Sequence, residues 1–115
     1  MPFVFYHNPN CSKSRQALQL LEERSIQPTI RQYLKEPLTE AELTQLLALL
    51  GKKPVELIRK GEDLYKTLEL DAADVDDTRL IKAMVEHPKL IERPILSNGQ
   101  QARIGRPPEQ LLEIL

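Results

Sequence analysis

Short apolar runs and helical repeats alternate at the start of the chain. Residues 3–6 are aromatic and β-branched, as expected for a buried strand, and the dipeptide Asn8-Pro9 ends this run. A helical pattern covers residues 16–23, and β-branched and aromatic residues return over 29–34. This order predicts a parallel βαβ unit.

The middle of the chain carries helical signals. Thr39 and Glu42 fit a capping box, a leucine stripe follows, and Gly51 ends the helix. Pro54 begins a shorter helix, whose last turn is expected to hold Arg59.

Two further helical segments follow in the same region. Residues 62–70 predict a short helical piece, and Asp77 or Thr78 is expected to cap a helix that ends at His87-Pro88. Together these segments predict a helical insertion over about residues 36–92.

The last third changes character. Residues 94–104 predict a hairpin, in which Asn98-Gly99 supplies the two positive φ angles of a type I′ turn. A closing helix after Pro107-Pro108 is expected to pack apolar side chains on the sheet. These side chains are Leu111, Leu112, Ile114 and Leu115.

The order βαβ, helices, ββα predicts an α/β protein with a thioredoxin-like fold and a four-stranded mixed sheet. We expect one domain, residues 1–115, with an enlarged central helical segment. In this layout the loop before the third strand carries a cis-proline that faces the redox cysteine. Pro94, preceded by Arg93, is expected at that position.

Composition narrows the function classes. The 115 residues include one cysteine, carry a net charge of −1 and lack an apolar run of membrane-spanning length. We therefore expect a soluble cytoplasmic protein that binds neither nucleic acid nor membrane. Nucleotide-binding glycine motifs are absent, and one cysteine with two distant histidines predicts no metal site.

The single cysteine, Cys11, lies between the first strand and the first helix. Helix N-termini favour a thiolate, and Lys13 and Arg15, together with His7 when it is protonated, add positive charge. The polar neighbours of Cys11 suit a solvent-facing loop better than a core. A reactive thiol is therefore favoured over an inert buried one.

These residues resemble the ArsC family of glutaredoxin-dependent arsenate reductases along essentially the whole chain. The loop His7-Asn8-Pro9-Asn10-Cys11-Ser12-Lys13-Ser14-Arg15 is similar to the family's His-Asn-Pro-x-Cys-x-x-Ser-Arg loop. Arg59, Arg93 and Arg106 stand in the contexts of its three oxyanion-binding arginines. The chain ends soon after the last motif and so resembles a shorter chromosomal branch of the family.

The resemblance implies a reaction and its partners. Cys11 would be the nucleophile that attacks arsenate or a similar oxyanion, and no bound cofactor is expected. Ser14 stands where a Cys-x-x-Cys motif has its second cysteine, so an external thiol must supply the electrons. The family implies glutathione as co-substrate and glutaredoxin as partner. From the residues themselves, we expect His7 to orient the loop or support it electrostatically, and Ser14 to hydrogen-bond the thiolate.

The sequence rejects one alternative function and leaves two others open. A tyrosine-phosphatase loop requires Cys-x₅-Arg, but Ala17 occupies the arginine position. A monothiol glutathione-linked oxidoreductase with another substrate fits Cys11 and Ser14 equally well. A regulator of the Spx type, which binds RNA polymerase without catalysis, also shares the fold, but its Cys-x-x-Cys switch is missing here.

Overall fold

The computed structural model describes residues 3–115, and the chain divides into two compact units. Of the described residues, the sheet unit comprises 3–36 and Arg93–Leu115, and the helical unit comprises Pro37–Glu92. The helical unit therefore begins within one residue of the predicted insertion and ends with it. That both units form one functional domain stays a prediction.

The sheet unit contains four short strands. Strand β1 is flanked by β2 and β3, and β4 lies beyond β3, which gives the order β2-β1-β3-β4. The β1–β2 pair is parallel, and the other two pairs are antiparallel. This mixed sheet confirms the predicted thioredoxin-like α/β fold. Its elements are β1 (Val4–Tyr6), α1 (Ser12–Glu23), β2 (Thr29–Arg31), β3 (Ile95–Ser97), β4 (Ala102–Ile104) and a 3₁₀ helix (Pro108–Ile114).

The core of the sheet unit lies between the sheet, α1 and the 3₁₀ helix. Strands and helices both contribute apolar side chains to this core, since each element buries one of its faces. The cluster consists of Phe5, Ala17, Leu21, Leu96, Leu111 and Ile114. This packing fixes α1 against the sheet and so places the residues at its N-terminus.

The C-terminal segment differs from the predicted α-helix. It is a 3₁₀ helix, in which residues three apart lie on the same side. Leu111 and Ile114 are buried accordingly, whereas Leu112 is half-buried and Leu115 is 47% exposed. The prediction that Leu115 packs on the sheet is wrong.

Strand β2 is shorter than predicted. It ends at Arg31 because the backbone then turns: the Gln32 carbonyl accepts hydrogen bonds from the Lys35 and Glu36 amides, both at 2.9 Å. Tyr33 is buried in this turn rather than in a strand.

The β3–β4 hairpin is confirmed, but its predicted turn type is wrong. Ser97 pairs with Ala102, so residues 98–101 form a four-residue loop. Gly99 has φ 89°, whereas Asn98 is not in the positive-φ region. The Asn98 side chain instead accepts hydrogen bonds from the Gln100 and Gln101 amides, at 2.9 and 2.7 Å.

The helical unit follows the predicted pattern closely. The capping box is present: Thr39 Oγ1 accepts from the Glu42 amide at 3.1 Å, and Glu42 Oε1 accepts from the Thr39 amide at 3.0 Å. Gly51 ends that helix in the left-handed conformation, with φ 67°. The elements are α2 (Glu40–Leu50), α3 (Pro54–Leu57), α4 (Asp63–Thr67), α5 (Asp77–Glu86) and a 3₁₀ turn (Pro88–Leu90).

Two details of the helical unit differ from prediction. Helix α3 ends at Leu57, because Ile58 is extended and forms a β-bridge with Ile91, so Arg59 lies outside the helix. Helix α5 is capped by Asp76, whose carboxylate accepts from the Arg79 amide at 2.9 Å, rather than by Asp77 or Thr78. Within residues 3–115, no helix is long and apolar enough to cross a bilayer.

Candidate active site

Hydrogen bonds within the loop between β1 and α1 hold it in place. The Cys11 amide donates to the Asn8 carbonyl at 3.0 Å, and the Asn10 amide donates to Asn8 Oδ1 at 3.0 Å. The Cys11 carbonyl then accepts the Arg15 amide at 3.0 Å, which is the first bond of α1. Cys11 is therefore the N-cap residue of α1, which confirms its expected place at the helix N-terminus.

The expectation of a solvent-facing loop is wrong for the two central side chains. Cys11 is 9% exposed and Ser14 is fully buried, although Asn10, Ser12 and Lys13 are exposed. Ser14 shares the inner face of α1 with Ala17 and Leu21, because residues three to four apart lie on one side of a helix. A polar side chain is tolerated there because it is hydrogen-bonded.

The Ser14 hydroxyl connects α1 to the end of β1 and to the Cys11 loop through hydrogen bonds. Its Oγ lies 2.7 Å from His7 Nδ1 and accepts the Asn8 amide at 3.1 Å. The His7 ring also contacts Phe5, with ring centroids 5.4 Å apart. These contacts fix the ring and the start of the loop relative to α1.

Burial first, and then the positive charge of Arg15, lower the pKa of His7 below its usual value. His7 is thus neutral at neutral pH. The expectation that His7 adds positive charge to the thiol is wrong, because a buried imidazole beside a guanidinium does not retain its proton.

The electrostatic balance around Cys11 favours the thiolate. Burial alone would raise the pKa of the thiol, but the Ser14 amide, the Arg93 guanidinium and the Lys13 amide together lower it below the ordinary value. Within residues 3–115, the Cys11 side chain makes no capping hydrogen bond of standard geometry, so we attribute the effect of the two amides chiefly to their dipoles. The sulfur is thus a thiolate over a wider pH range than a free cysteine.

Arg93 reaches Cys11 from the segment before β3. The Arg93-Pro94 bond is cis, as expected from the fold, and two guanidinium nitrogens of Arg93, Nε and Nη1, are buried. The Arg93 guanidinium lowers the pKa of the Cys11 thiol through hydrogen bonding and its positive charge. The sequence predicted Arg93 only as an oxyanion ligand, and its direct action on the thiol was missed.

Gly105 connects this segment to Arg106. Its amide donates to the Pro94 carbonyl at 2.8 Å, and a Cβ at Gly105 would lie 3.0 Å from Pro94 Cγ and 3.1 Å from Leu111 Cγ. The next residue, Arg106, is exposed, and its bond to Pro107 is also cis. Sequence reasoning did not single out Gly105; a glycine directly after a strand and before Arg-Pro-Pro was the available signal.

The other two arginines predicted to belong to the site, Arg15 and Arg59, have partners elsewhere. Arg15 Nη1 donates to the Pro9 carbonyl at 2.9 Å, an exposed hydrogen bond that stabilises the loop. Arg59 belongs to the helical unit, where it pairs with Glu62 at 3.3 Å and donates to the Lys89 carbonyl at 3.3 Å. The sheet unit therefore brings Cys11 and Arg93 together, whereas the role of Arg59 stays a sequence-based prediction.

This fold and site define a thioredoxin-like protein with a single cysteine poised as a thiolate beside an arginine. A model described as the ArsC family matches residues 6–114. The chain belongs to the ArsC family.

Its relatives cover nearly the whole chain. A Haemophilus influenzae protein called arsenate reductase is 49% identical over 116 residues and is covered completely, as is this chain. An Escherichia coli protein called uncharacterized protein YfgD is 51% identical over 111 residues, which are 96% of this chain and 93% of that protein. The solved structure of an arsenate reductase from Vibrio cholerae is 50% identical with a TM-score of 0.97, and the match covers 100% of this chain and 98% of that one.

Proposed function

We propose that the protein is an arsenate reductase, an oxidoreductase that reduces arsenate to arsenite through Cys11, with glutathione and glutaredoxin as electron donors. The observation that carries this proposal is the position of Cys11 at the N-terminus of α1, where the Arg93 guanidinium lowers the pKa of its thiol. The names of the Haemophilus influenzae and Vibrio cholerae relatives support the choice of arsenate.

The charge around Cys11 suits a tetrahedral oxyanion. Arsenate is negative at neutral pH, and guanidinium groups bind such oxygens through charge-assisted hydrogen bonds worth about 1.5–3 kcal/mol each. In this proposal Arg93 and Arg106 bind the anion, and the helix N-terminus adds amide donors. Arg59 keeps the binding role predicted from its sequence context.

The first chemical step forms a sulfur–arsenic bond. The Cys11 thiolate attacks arsenic and displaces one oxygen as hydroxide, which leaves as water after taking a proton. Arsenic stays pentavalent in the resulting thiol–arsenate adduct. The lowered pKa of Cys11 matters at this step because the thiolate, not the thiol, is the nucleophile.

Reduction requires a second thiol, and the chain has only one cysteine. In the proposed second step, glutathione thiolate attacks the Cys11 sulfur, a sulfur–sulfur bond forms and the sulfur–arsenic bond breaks. The electron pair of that bond stays on arsenic, which becomes trivalent and leaves as arsenite. Glutaredoxin then removes the glutathionyl group by thiol–disulfide exchange and restores Cys11.

A coupled assay tests the proposal. Arsenate-dependent NADPH oxidation is followed with glutathione, glutaredoxin and glutathione reductase, for the wild type, Cys11→Ser, Arg93→Ala and Arg59→Ala. We expect no turnover with Cys11→Ser and strongly reduced turnover with Arg93→Ala. The Arg59→Ala variant tests separately whether the arginine of the helical unit contributes to turnover.

A monothiol glutathione-linked oxidoreductase is the second candidate, since the same Cys11 and the same absence of a second cysteine serve it. Turnover of a glutathione mixed disulfide by folded protein, with none of arsenate, would move the assignment there. Binding to RNA polymerase without either activity would favour the regulatory alternative.

A further inference from the structure

Gly105 is buried at the end of β4, opposite the residue that precedes β3. Ile95 pairs with Ile104 in the hairpin, and the Gly105 amide donates to the Pro94 carbonyl at 2.8 Å, so the ladder continues by one further pair. Proline has no amide hydrogen, so this is the one backbone hydrogen bond that the pair can form. Arg93 follows directly beyond it, where the ladder ends.

Space, rather than backbone conformation, requires a glycine at this position. Within residues 3–115, the glycines with positive φ angles are Gly51 and Gly99, so the φ angle of Gly105 does not call for a glycine. A Cβ on Gly105 would lie 3.0 Å from Pro94 Cγ, whereas carbon atoms in contact prefer about 3.5–4.0 Å. The fully buried Pro94 ring thus occupies the space that a side chain would need.

The two neighbours of this space differ in how they can yield. Leu111 Cγ and Cδ1 would lie 3.1 and 3.2 Å from the added Cβ, but a leucine side chain can rotate about its own bonds. The Pro94 ring is bonded to its own backbone nitrogen, so it cannot turn away without moving the backbone. That nitrogen belongs to the peptide bond with Arg93. Pressure on the ring is therefore passed to Arg93.

Arg93 is the residue of this segment that acts on the nucleophile. Its guanidinium lowers the pKa of the Cys11 thiol, and its Nε and Nη1 atoms are buried. Hydrogen bonds and charge interactions both weaken as the distance between the groups grows. A displacement of a few tenths of an ångström at Pro94 would therefore weaken the effect of Arg93 on the thiol.

We propose that Gly105 is a positioning residue of the thiol site: its missing side chain leaves room for the Pro94 ring, which fixes the Arg93 side chain that acts on Cys11. This inference rests on the proposed function, because it explains how the fold holds an arginine on which that function depends. Its test follows the thiol alone and needs no arsenate. Absence of arsenate turnover would therefore contradict the proposed function without deciding the role of Gly105.

The test measures the rate of Cys11 alkylation by iodoacetamide against pH in the wild type and in Gly105→Ala. An opposite charge nearby changes the ionised fraction of a group by about tenfold or more. A partly displaced Arg93 should therefore slow the reaction about threefold at pH values below the wild-type midpoint. At about pH 10, where the thiol is ionised in both proteins, the two rates should agree within about twofold.

Two control variants separate positioning from general loss of stability. Gly61→Ala adds the same methyl group where nothing lies within 4 Å. Leu111→Val loosens the same contact from the other side without pressing on the Pro94 ring. Both should keep the wild-type pH profile, although Leu111→Val lowers stability. If Gly105→Ala does not fold, Gly105→Ala/Leu111→Val replaces it, because valine relieves one close contact and leaves the one with Pro94.

A double variant shows whether the effect passes through Arg93. Gly105→Ala should change nothing further in an Arg93→Ala background, since the guanidinium that it displaces is already gone. A wild-type pH profile in folded Gly105→Ala would overturn the proposal. Further slowing in the Arg93→Ala background, or equal slowing at low and high pH, would also overturn it, because Gly105 would then act on Cys11 by another route.

Discussion

His7 Nδ1 lies 2.7 Å from Ser14 Oγ, and both side chains are buried. The same Ser14 oxygen accepts the Asn8 amide, so one hydroxyl connects the end of β1, the nucleophile loop and α1. Cys11 lies within this small frame, three residues before Ser14. The position of the nucleophile thus depends on a polar contact inside the core of the sheet unit.

Removing this hydroxyl should destabilise the protein. In Ser14→Ala, the Asn8 amide and His7 Nδ1 lose their shared partner, and each buried unsatisfied group costs about 1–3 kcal/mol. We expect a decrease of about 2 kcal/mol in the free energy of unfolding, measured by urea denaturation. Ser12→Ala, at an exposed position in the same turn, should change it by less than about 0.5 kcal/mol; similar losses for both variants would contradict this account of Ser14.

Stability should also depend on the titration of His7. Its pKa is lowered in the folded protein, so below about pH 6.5 the unfolded chain binds a proton that the folded one does not. The free energy of unfolding therefore falls as pH decreases from 7 to 5.5, by at most about 1.4 kcal/mol per pH unit from this group.

Urea denaturation of the wild type and of His7→Gln across this pH range checks the prediction. The variant should lose less stability on acidification, because it has no imidazole to protonate. An equal pH dependence in both proteins would show that His7 is not responsible.

Cys11 should be alkylated as a thiolate below the pH expected for a free cysteine. Burial opposes ionisation, but the Ser14 amide, Arg93 and the Lys13 amide outweigh it and lower the pKa. Iodoacetamide rates against pH should have a midpoint below about 8.5 in the wild type. Arg93→Ala should move the midpoint upward, because the stabilising guanidinium is lost.

Arg103→Ala is the control for this measurement. Arg103 is an arginine of the same unit that pairs with Glu113 at 2.8 Å. Its removal should leave the midpoint unchanged. A wild-type midpoint equal to that of a free thiol would contradict the activated nucleophile.

A side chain at position 105 should destabilise the folded protein. A Cβ at this position would lie 3.0 Å from Pro94 Cγ and 3.1 Å from Leu111 Cγ, so Gly105→Ala overpacks the contact behind Arg93 and Arg106. We expect a loss of about 1–3 kcal/mol in the free energy of unfolding. Gly61→Ala, where nothing lies within 4 Å, should be near neutral, and equal effects of the two changes would refute the close packing.

Local signals in the sequence were sufficient for much of the fold. The Thr39–Glu42 capping box, the Gly51 C-cap and the position of Cys11 at a helix N-terminus are each set by a few neighbouring residues, and each was predictable. Strand pairing followed from the order of elements, since βαβ units are parallel and hairpins antiparallel.

Features that depend on distant contacts were not predictable. Arg59 was placed in a helix, but the bridge between Ile58 and Ile91 ends that helix early. Ser14 was counted among the polar, solvent-facing neighbours of Cys11, although the helical period places it on the inner face with Ala17. The effect of Arg93 on the sulfur requires two segments about 80 residues apart to meet, which no local pattern encodes.

The most direct test of the proposed function is the intact mass of the protein after a single turnover without glutaredoxin. With arsenate and reduced glutathione both present, the account predicts one glutathionyl group on Cys11 and one arsenite released per modified chain. Neither reagent alone should add a glutathionyl group to the protein, and Cys11→Ser should gain none with both present. A protein with a reactive, alkylatable Cys11 that gains no glutathionyl group in the presence of arsenate would contradict the central claim.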